Sequence, residues 1–235
     1  MLLSSTAQRA LDAYGGAALW SNATDITAEV SASGLAFFLK RRPKFDHVHI
    51  ELKVQHQYIR ITPIGNDLGY SGVLDGDTVH IENSEGKILR ERYNPRVYFP
   101  YGRRLFYWDD LDMTYFAGYA FWNYFTFPAL LLRNDIKWSE KESGILQAAF
   151  TPTLHTHSRD QEFRIDMSTG QLRQHNYVAE VISKLATAAQ VVQAHSRADG
   201  LLFPSHRVVT PMRKNGGARP GPILIDILVH AMQVR

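Results

Sequence analysis

The 235-residue sequence contains no cysteine. Disulfides, thiolate nucleophiles and zinc sites of the C-x-x-C type are excluded with it. Also missing are a phosphate-cradling Walker loop, a GxGxxG turn, a GxSxG elbow and an HExxH helix. No cofactor is therefore expected. Charge of one sign is scarce, since 26 Lys and Arg stand against 23 Asp and Glu. The only basic clusters are Lys40-Arg41-Arg42, Arg103-Arg104 and Arg213-Lys214. Without a basic stripe or an RNA-binding motif, nucleic acid is not an expected partner. Residues 1–4 offer neither a basic n-region nor an apolar h-region before Gln8-Arg9. No signal peptide is expected, and the cytoplasm is the default compartment. No repeat, low-complexity tract or linker divides the chain, so residues 1–235 read as a single domain.

What is present is an ordinary globular composition, 45% hydrophobic and 21% charged. Residues 5–20 have near-helical apolar spacing behind Ser4 or Ser5, with Gly15-Gly16 as a break or kink. From 25 to 92 the pattern is period two in short runs, at 26–30, 48–54, 58–62 and 78–82. Pro63-Ile64-Gly65-Asn66, Asp75-Gly76-Asp77 and Glu85-Gly86 punctuate these runs. Strands resume over about 135–234, with a hairpin turn at 166–170 and a mobile loop expected at 212–222. Spacing of about ten residues per strand belongs to a sandwich, barrel or meander rather than to βαβ units.

Between the two strand-rich halves lies a block over about 109–132. Residues 113–132 hold no charge, and eight of the twenty are aromatic. Such a stretch is long enough to span a bilayer. Pro128, Gly118, Asn123 and two threonines lower its hydrophobicity, and its tyrosines spread through its middle. The expectation is a helix apolar all round and enclosed by protein, without stable membrane insertion. Asp109, Asp110 and Asp112 suit its positive N-terminus. About ten antiparallel strands must curl to bury one face. The fold expected is mainly β: one strongly curved antiparallel sheet, a half-barrel, wrapped around one or more helices.

Several stretches carry a resemblance. They are Ala13-Tyr14-Gly15-Gly16 with Trp20, then residues 72–77, then Asn94-Pro95-Arg96. The aromatic run 115–124, His155-Thr156-His157-Ser158-Arg159 and Phe203-Pro204-Ser205-His206-Arg207 complete the set. Together they resemble a group of uncharacterised bacterial proteins of similar length. That group is similar in topology to the bacterial lipoprotein-carrier fold, a half-barrel enclosing helices over an apolar cavity. The resemblance implies an apolar-ligand function. The chain departs from the carriers in showing no export signal at its start.

The stretch 155–166 is the richest in chemistry. Read with period two, His155, His157, Arg159, Gln161, Phe163 and Ile165 share the face that ends in apolar residues and points inward. An even register across the 166–170 turn sets Gln161 beside His175 and Arg159 beside Tyr177. These groups would form a polar cluster at one end of a cavity walled by Tyr115, Tyr119, Trp122 and Tyr124. Three readings stay open. The cluster is a structural network bonded to backbone, Asp160 or Glu180. Or it is a ligand site, with Arg159 holding the carboxylate or phosphate of an apolar or amphipathic molecule, lipid-like or polyketide-like. Or it is an active site, with His155, His157, His175 and Tyr177 doing acid–base work or the three histidines holding a metal. The remaining histidines join no constellation, and His195 and His206 are expected at the surface. Nothing in the sequence specifies an oligomeric state.

Overall fold

The computed structural model describes residues 3–235. Two short helices open the chain, α1 (Ser5–Ala13) and α2 (Gly16–Asn22). Ser4 caps α1 by accepting from the Ala7 amide, and Gly15 separates the pair at φ 104°, a conformation that costs glycine least. Strand β1 (Asp25–Ser33) follows, then a five-residue helix α3 (Leu35–Leu39) that the sequence pattern does not announce. The first meander continues through β2 (Phe45–Lys53), β3 (Tyr58–Thr62), β4 (Ser71–Asp75), β5 (Thr78–Glu82) and β6 (Ile88–Tyr93). Two 3₁₀ turns, Pro95–Tyr98 and Gly102–Leu105, lead into α4 (Asp110–Phe125) and α5 (Phe127–Leu130). The expected 109–132 helix is thus two helices, broken at Thr126, whose hydroxyl donates back to the Trp122 carbonyl at 2.7 Å just ahead of Pro128. The second meander is β7 (Lys137–Glu142), β8 (Ile145–Ala149), β9 (Asp160–Ile165), β10 (Leu172–Val178), β11 (Thr187–Ala198), β12 (Leu201–Pro211) and β13 (Ile225–Val234).

All thirteen described strands form one antiparallel sheet in the order β6-β5-β4-β3-β2-β1-β13-β12-β11-β10-β9-β8-β7. The first and last strands pair at its centre, and the two edges are β6 and β7. The chain therefore leaves the sheet at one edge and re-enters at the other, and α4 is the crossing. Leu111 to Phe125 are all buried in that crossing. This is the expected half-barrel wrapped around a helix. No described helix is long and apolar enough to cross a membrane.

Sheet and helix approach closely where side chains are small. A Cβ on Gly72 in β4 would lie 2.2 Å from the Thr114 hydroxyl, and one on Gly118 would lie 3.1 Å from Leu74. Both ends of α4 are matched in charge. At the N-terminus Asp109 and Asp112 form a reciprocal capping box. Asp112, with 0% of its side chain exposed, takes Arg92 at 2.6 Å, Arg103 at 2.8 Å and Arg104 at 2.7 Å. At the C-terminus Arg207 of β12 donates to the Tyr124 carbonyl at 3.0 Å and to Gln190 Oε1 at 2.8 Å. It supplies the positive charge that the last turn of α4 lacks.

The 212–222 loop does not hang free. Gln174 and Asn176 donate to the Gly216 carbonyl at 2.6 and 3.0 Å, which seats the loop on the outer face of the sheet. The 199–200 turn, with Asp199 and Gly200 both at positive φ, makes β11 and β12 one long hairpin, so β12 begins at Leu201, well before His206. His195 is half-buried and bonds the Tyr14 hydroxyl at 2.8 Å, so it is not the surface residue expected; His206, partly exposed, bonds Asp226 at 2.8 Å.

Candidate functional site

Strand β9 obeys the expected alternation only from its start. Gln161, Phe163 and Ile165 are buried, while their even neighbours are exposed or half-buried. Upstream, residues 155–158 form no strand, and all four are buried. Backbone bonds from side chains replace the ladder there. Gln57 brackets His155, accepting from its amide at 2.8 Å and donating to its carbonyl at 2.7 Å. Arg96 donates to the Thr156 carbonyl at 2.7 Å, and Gln161 donates to the Ser158 carbonyl at 2.7 Å. The period-two reading of 155–159 fails because this segment is tucked under the first 3₁₀ turn.

The two imidazoles of that segment meet the tyrosines of α4. His155 Nδ1 lies 3.0 Å from the Tyr115 hydroxyl, and its Nε2 lies 3.0 Å from Asp77. His157 contacts the Tyr119 hydroxyl through Nδ1 at 3.3 Å and the Tyr124 hydroxyl through Nε2 at 2.7 Å. Tyr124 bonds Tyr177 at 3.0 Å, and the Tyr177 ring stacks on His157 with centroids 3.8 Å apart. His175 donates through Nε2 to Gln161 Oε1 at 2.6 Å while its ring lies on Phe163 at 4.1 Å. Tyr115 and Tyr119, four residues apart, share one side of α4, whereas Tyr124, five residues further on, leaves the helix in another direction and meets the other ring nitrogen of His157.

Burial sets the protonation of this layer. It holds His157 down to about 3, with the Arg96 charge adding to the effect. His175 is held well below the ordinary imidazole value, first by burial and then by His157 and Arg207. Burial also lowers His155, against the pull of Asp77. The Tyr115 and Tyr177 hydroxyls are pushed up to about 12 by burial. At neutral pH the network is therefore uncharged imidazoles bonded to phenols, with nearly every ring nitrogen and hydroxyl accounted for.

The cluster was expected to look into a hollow between sheet and helix, and here the structure corrects the reading. The interior beside α4 is filled by its own aromatic side chains. The clefts flanking the helix hold about 10 Å³ each, no more than a single water. Trp122 is a packing residue whose indole N–H donates to the Lys53 carbonyl at 2.8 Å, remote from the histidines' bonds. Gln161 does contact His175, yet the register is not the one expected. The ladder pairs His175 with Phe163: the hairpin already sets Leu172 against Ile165, and an irregularity between Leu172 and Gln174 slides β10 one residue further along β9. His157, rather than Arg159, is the group stacked on Tyr177. Among the described residues no three of His, Asp or Glu are placed to share a metal, so His155, His157 and His175 do not form the three-histidine site.

Arg159 is exposed instead of inward. It lines an open groove of about 470 Å³ at the rim of the half-barrel, together with Arg96, Asp77 and His155. The groove's apolar wall is Phe150, Pro152 and Leu154. Among the described residues the Arg159 side chain has no hydrogen-bond or ion-pair partner, whereas Arg96 is engaged by Glu180 at 2.5 Å. His155 joins groove and interior: its Asp77 contact faces the groove, and its Tyr115 contact belongs to the buried layer. Sequence reasoning missed Gln57, Asp77, Arg96 and Arg207. Only Arg207 carried a signal, since it shares strand parity with buried Val209 and so had to point inward.

No family model matches this chain, and no curated protein matches it. Solved structures do. The fold is similar to that of a LolA superfamily protein from Nitrosomonas europaea, with a TM-score of 0.52 and 8% identity over 100% of this chain and 94% of that one. A DUF1329 family protein from Desulfovibrio piger aligns over 97% of this chain and 91% of its own, at TM-score 0.40 and 11% identity. The first likeness identifies the architecture as a LolA-like half-barrel.

Proposed function

We propose that this half-barrel binds an apolar or amphipathic small molecule, lipid-like or polyketide-like, at the rim groove rather than in the interior. One observation carries the reading: the Arg159 guanidinium, without a partner among the described residues, stands in a groove of ligand size that Phe150, Pro152 and Leu154 also line. An acidic head group would meet Arg159 in a bidentate, charge-assisted pair, and its chain would lie on the apolar wall. The buried His–Tyr layer serves as the floor that holds His155 and the 155–159 segment in place. The half-barrel architecture supports the same reading by analogy only.

The test is calorimetric titration with dodecanoate and with dodecanol. The expected result is tighter binding of dodecanoate, weakened about tenfold or more by Arg159→Ala. Dodecanol affinity should not respond to that substitution. Failure of both probes to bind, or equal dodecanoate affinity in wild type and variant, would overturn the proposal.

A further inference from the structure

The exposed apolar side chains are not scattered. Among the described residues, eight of the fifteen large exposed ones come from two short segments, 38–39 and 97–107. Phe38, Phe106 and Tyr101 are the most open of these, at 78%, 69% and 67%. The segments are tied together. Lys40, at the end of α3, donates to the Arg104 and Leu105 carbonyls at 3.0 and 2.9 Å, and the Trp108 amide donates to the Lys40 carbonyl at 3.2 Å. The Arg104 guanidinium lies 4.8 Å from the centre of the Tyr98 ring, which joins the first 3₁₀ turn to the same face. Neither α3 nor the 3₁₀ turns need these side chains for the core, since Phe37, Phe99 and Trp108 already point inward from the same segments. Single exposed apolar residues are ordinary, but a contiguous group of them marks an interaction surface.

The charge around the patch narrows the partner. Residues 38–46 and 88–112 together hold nine Lys and Arg against five Asp and Glu, an excess of four in a chain whose net charge is +3. Arg42, Arg90, Arg92, Arg103 and Arg104 are paired with Asp109, Asp110 and Asp112, which leaves the excess mainly on Arg41 and its neighbours. Arg41 has no side-chain partner among the described residues, whereas Arg103, 41% exposed beside Tyr107, is paired with Asp109 and Asp112. Protruding Phe and Leu, tyrosines around them and arginines behind are the pattern of a surface that sits in the headgroup region of a bilayer. We infer that this face docks reversibly on an anionic lipid surface, with Phe38 and Phe106 entering the acyl boundary and Arg41 meeting lipid phosphate. Val97 and Tyr98 directly follow Arg96, which lines the rim groove. The inference does not depend on the groove, because lipid-surface binding is read without any soluble ligand.

Co-sedimentation with vesicles of phosphatidylcholine alone, and with one third phosphatidylglycerol, tests it. Wild type should bind the mixed vesicles about tenfold or more better than the neutral ones. The double variant Phe38→Ser/Phe106→Ser should lose about tenfold on mixed vesicles, with unchanged circular dichroism since both side chains are outside the core. Absence of wild-type binding to the mixed vesicles would overturn the inference. So would binding that the double variant retains in full, which is adsorption by charge alone. A concentration-dependent dimer in sedimentation velocity, abolished by the same double variant, would assign the patch to a second copy of this chain and also overturn it.

Discussion

Two histidines with 1% and 2% exposure, His157 and His175, make stability depend on pH in a window where few other groups titrate. Each is neutral in the folded state, with its pKa depressed, to about 3 for His157. In the unfolded chain each titrates near 6.5, so the unfolded state takes up protons first as pH falls. The stabilisation is complete above about pH 6.5 and is lost on acidification toward the folded pKa. Between pH 7.5 and pH 5.5 one such histidine loses about 1.4 kcal/mol, because the unfolded form gains roughly a tenfold protonation factor that the folded form does not. The pair therefore removes about 3 kcal/mol, and the result is insensitive to how far below 5.5 the folded values lie. His155 and His195, also lowered by burial, act with the same sign and add to the loss. The carboxylates held low by their partners, Asp109 and Asp135, lose their contribution only below about pH 4.5 and stay out of the window. Urea unfolding at the two pH values should show a midpoint about 1 M lower at pH 5.5, taking an m-value of about 3 kcal/mol/M. His157→Gln should lower stability at both pH values yet reduce the difference between them by about 1.4 kcal/mol. Equal midpoints at the two pH values, or an unchanged difference in His157→Gln, would refute the neutral buried-histidine layer.

Three further outcomes follow from packing and charge. Asp112→Ala removes the fully buried acceptor of three arginines and should cost about 3 kcal/mol, toward the low end because those arginines reach solvent; guanidinium unfolding measures it. Gly72→Val drives a side chain into Thr114 and Gly118→Val drives one into Leu74, and each should lower stability by about 1–3 kcal/mol in the same assay. Tyr14→Phe leaves the Leu172 amide, bonded to the Tyr14 hydroxyl at 3.0 Å, without its partner and should cost about 1–2 kcal/mol, with faster exchange of that amide hydrogen by NMR.

The sheet, the enclosed aromatic helix and its aspartate cap were legible because each rests on local pattern: alternation, an uncharged run, acidic residues before it. The inward face of Gln161, Phe163 and Ile165 was legible for the same reason. The reading failed where a tertiary contact overrides the pattern. Residues 155–158 are held by Gln57 and Arg96, from sequence positions far away, and nothing in their own alternation reports that. The irregularity between Leu172 and Gln174 brings His175 opposite Phe163, while His157 reaches Tyr177 because residues 155–158 leave the ladder. The absent hollow is a third kind of failure. Eight aromatics in twenty residues can line a cavity or fill it, and composition is the same in both cases. The choice depends on distance between sheet and helix, which the small residues Gly72 and Gly118 set at contact.

That closeness also decides where function can sit. Helix α4 is fixed at one end by Asp112 among three arginines and at the other by Arg207 on the Tyr124 carbonyl. Its middle is bonded through three tyrosine hydroxyls to His155 and His157. Opening a ligand-sized space beside it would break several buried hydrogen bonds, each costing about 1–3 kcal/mol once its partner is left unsatisfied. Such a sum approaches the whole stability of a domain, about 5–15 kcal/mol. Binding in the interior would carry that cost, whereas the proposed rim groove and Phe38–Phe106 face would leave helix α4 in place. Arg159 stands in the rim groove without a partner among the described residues, the feature on which the proposed binding there rests.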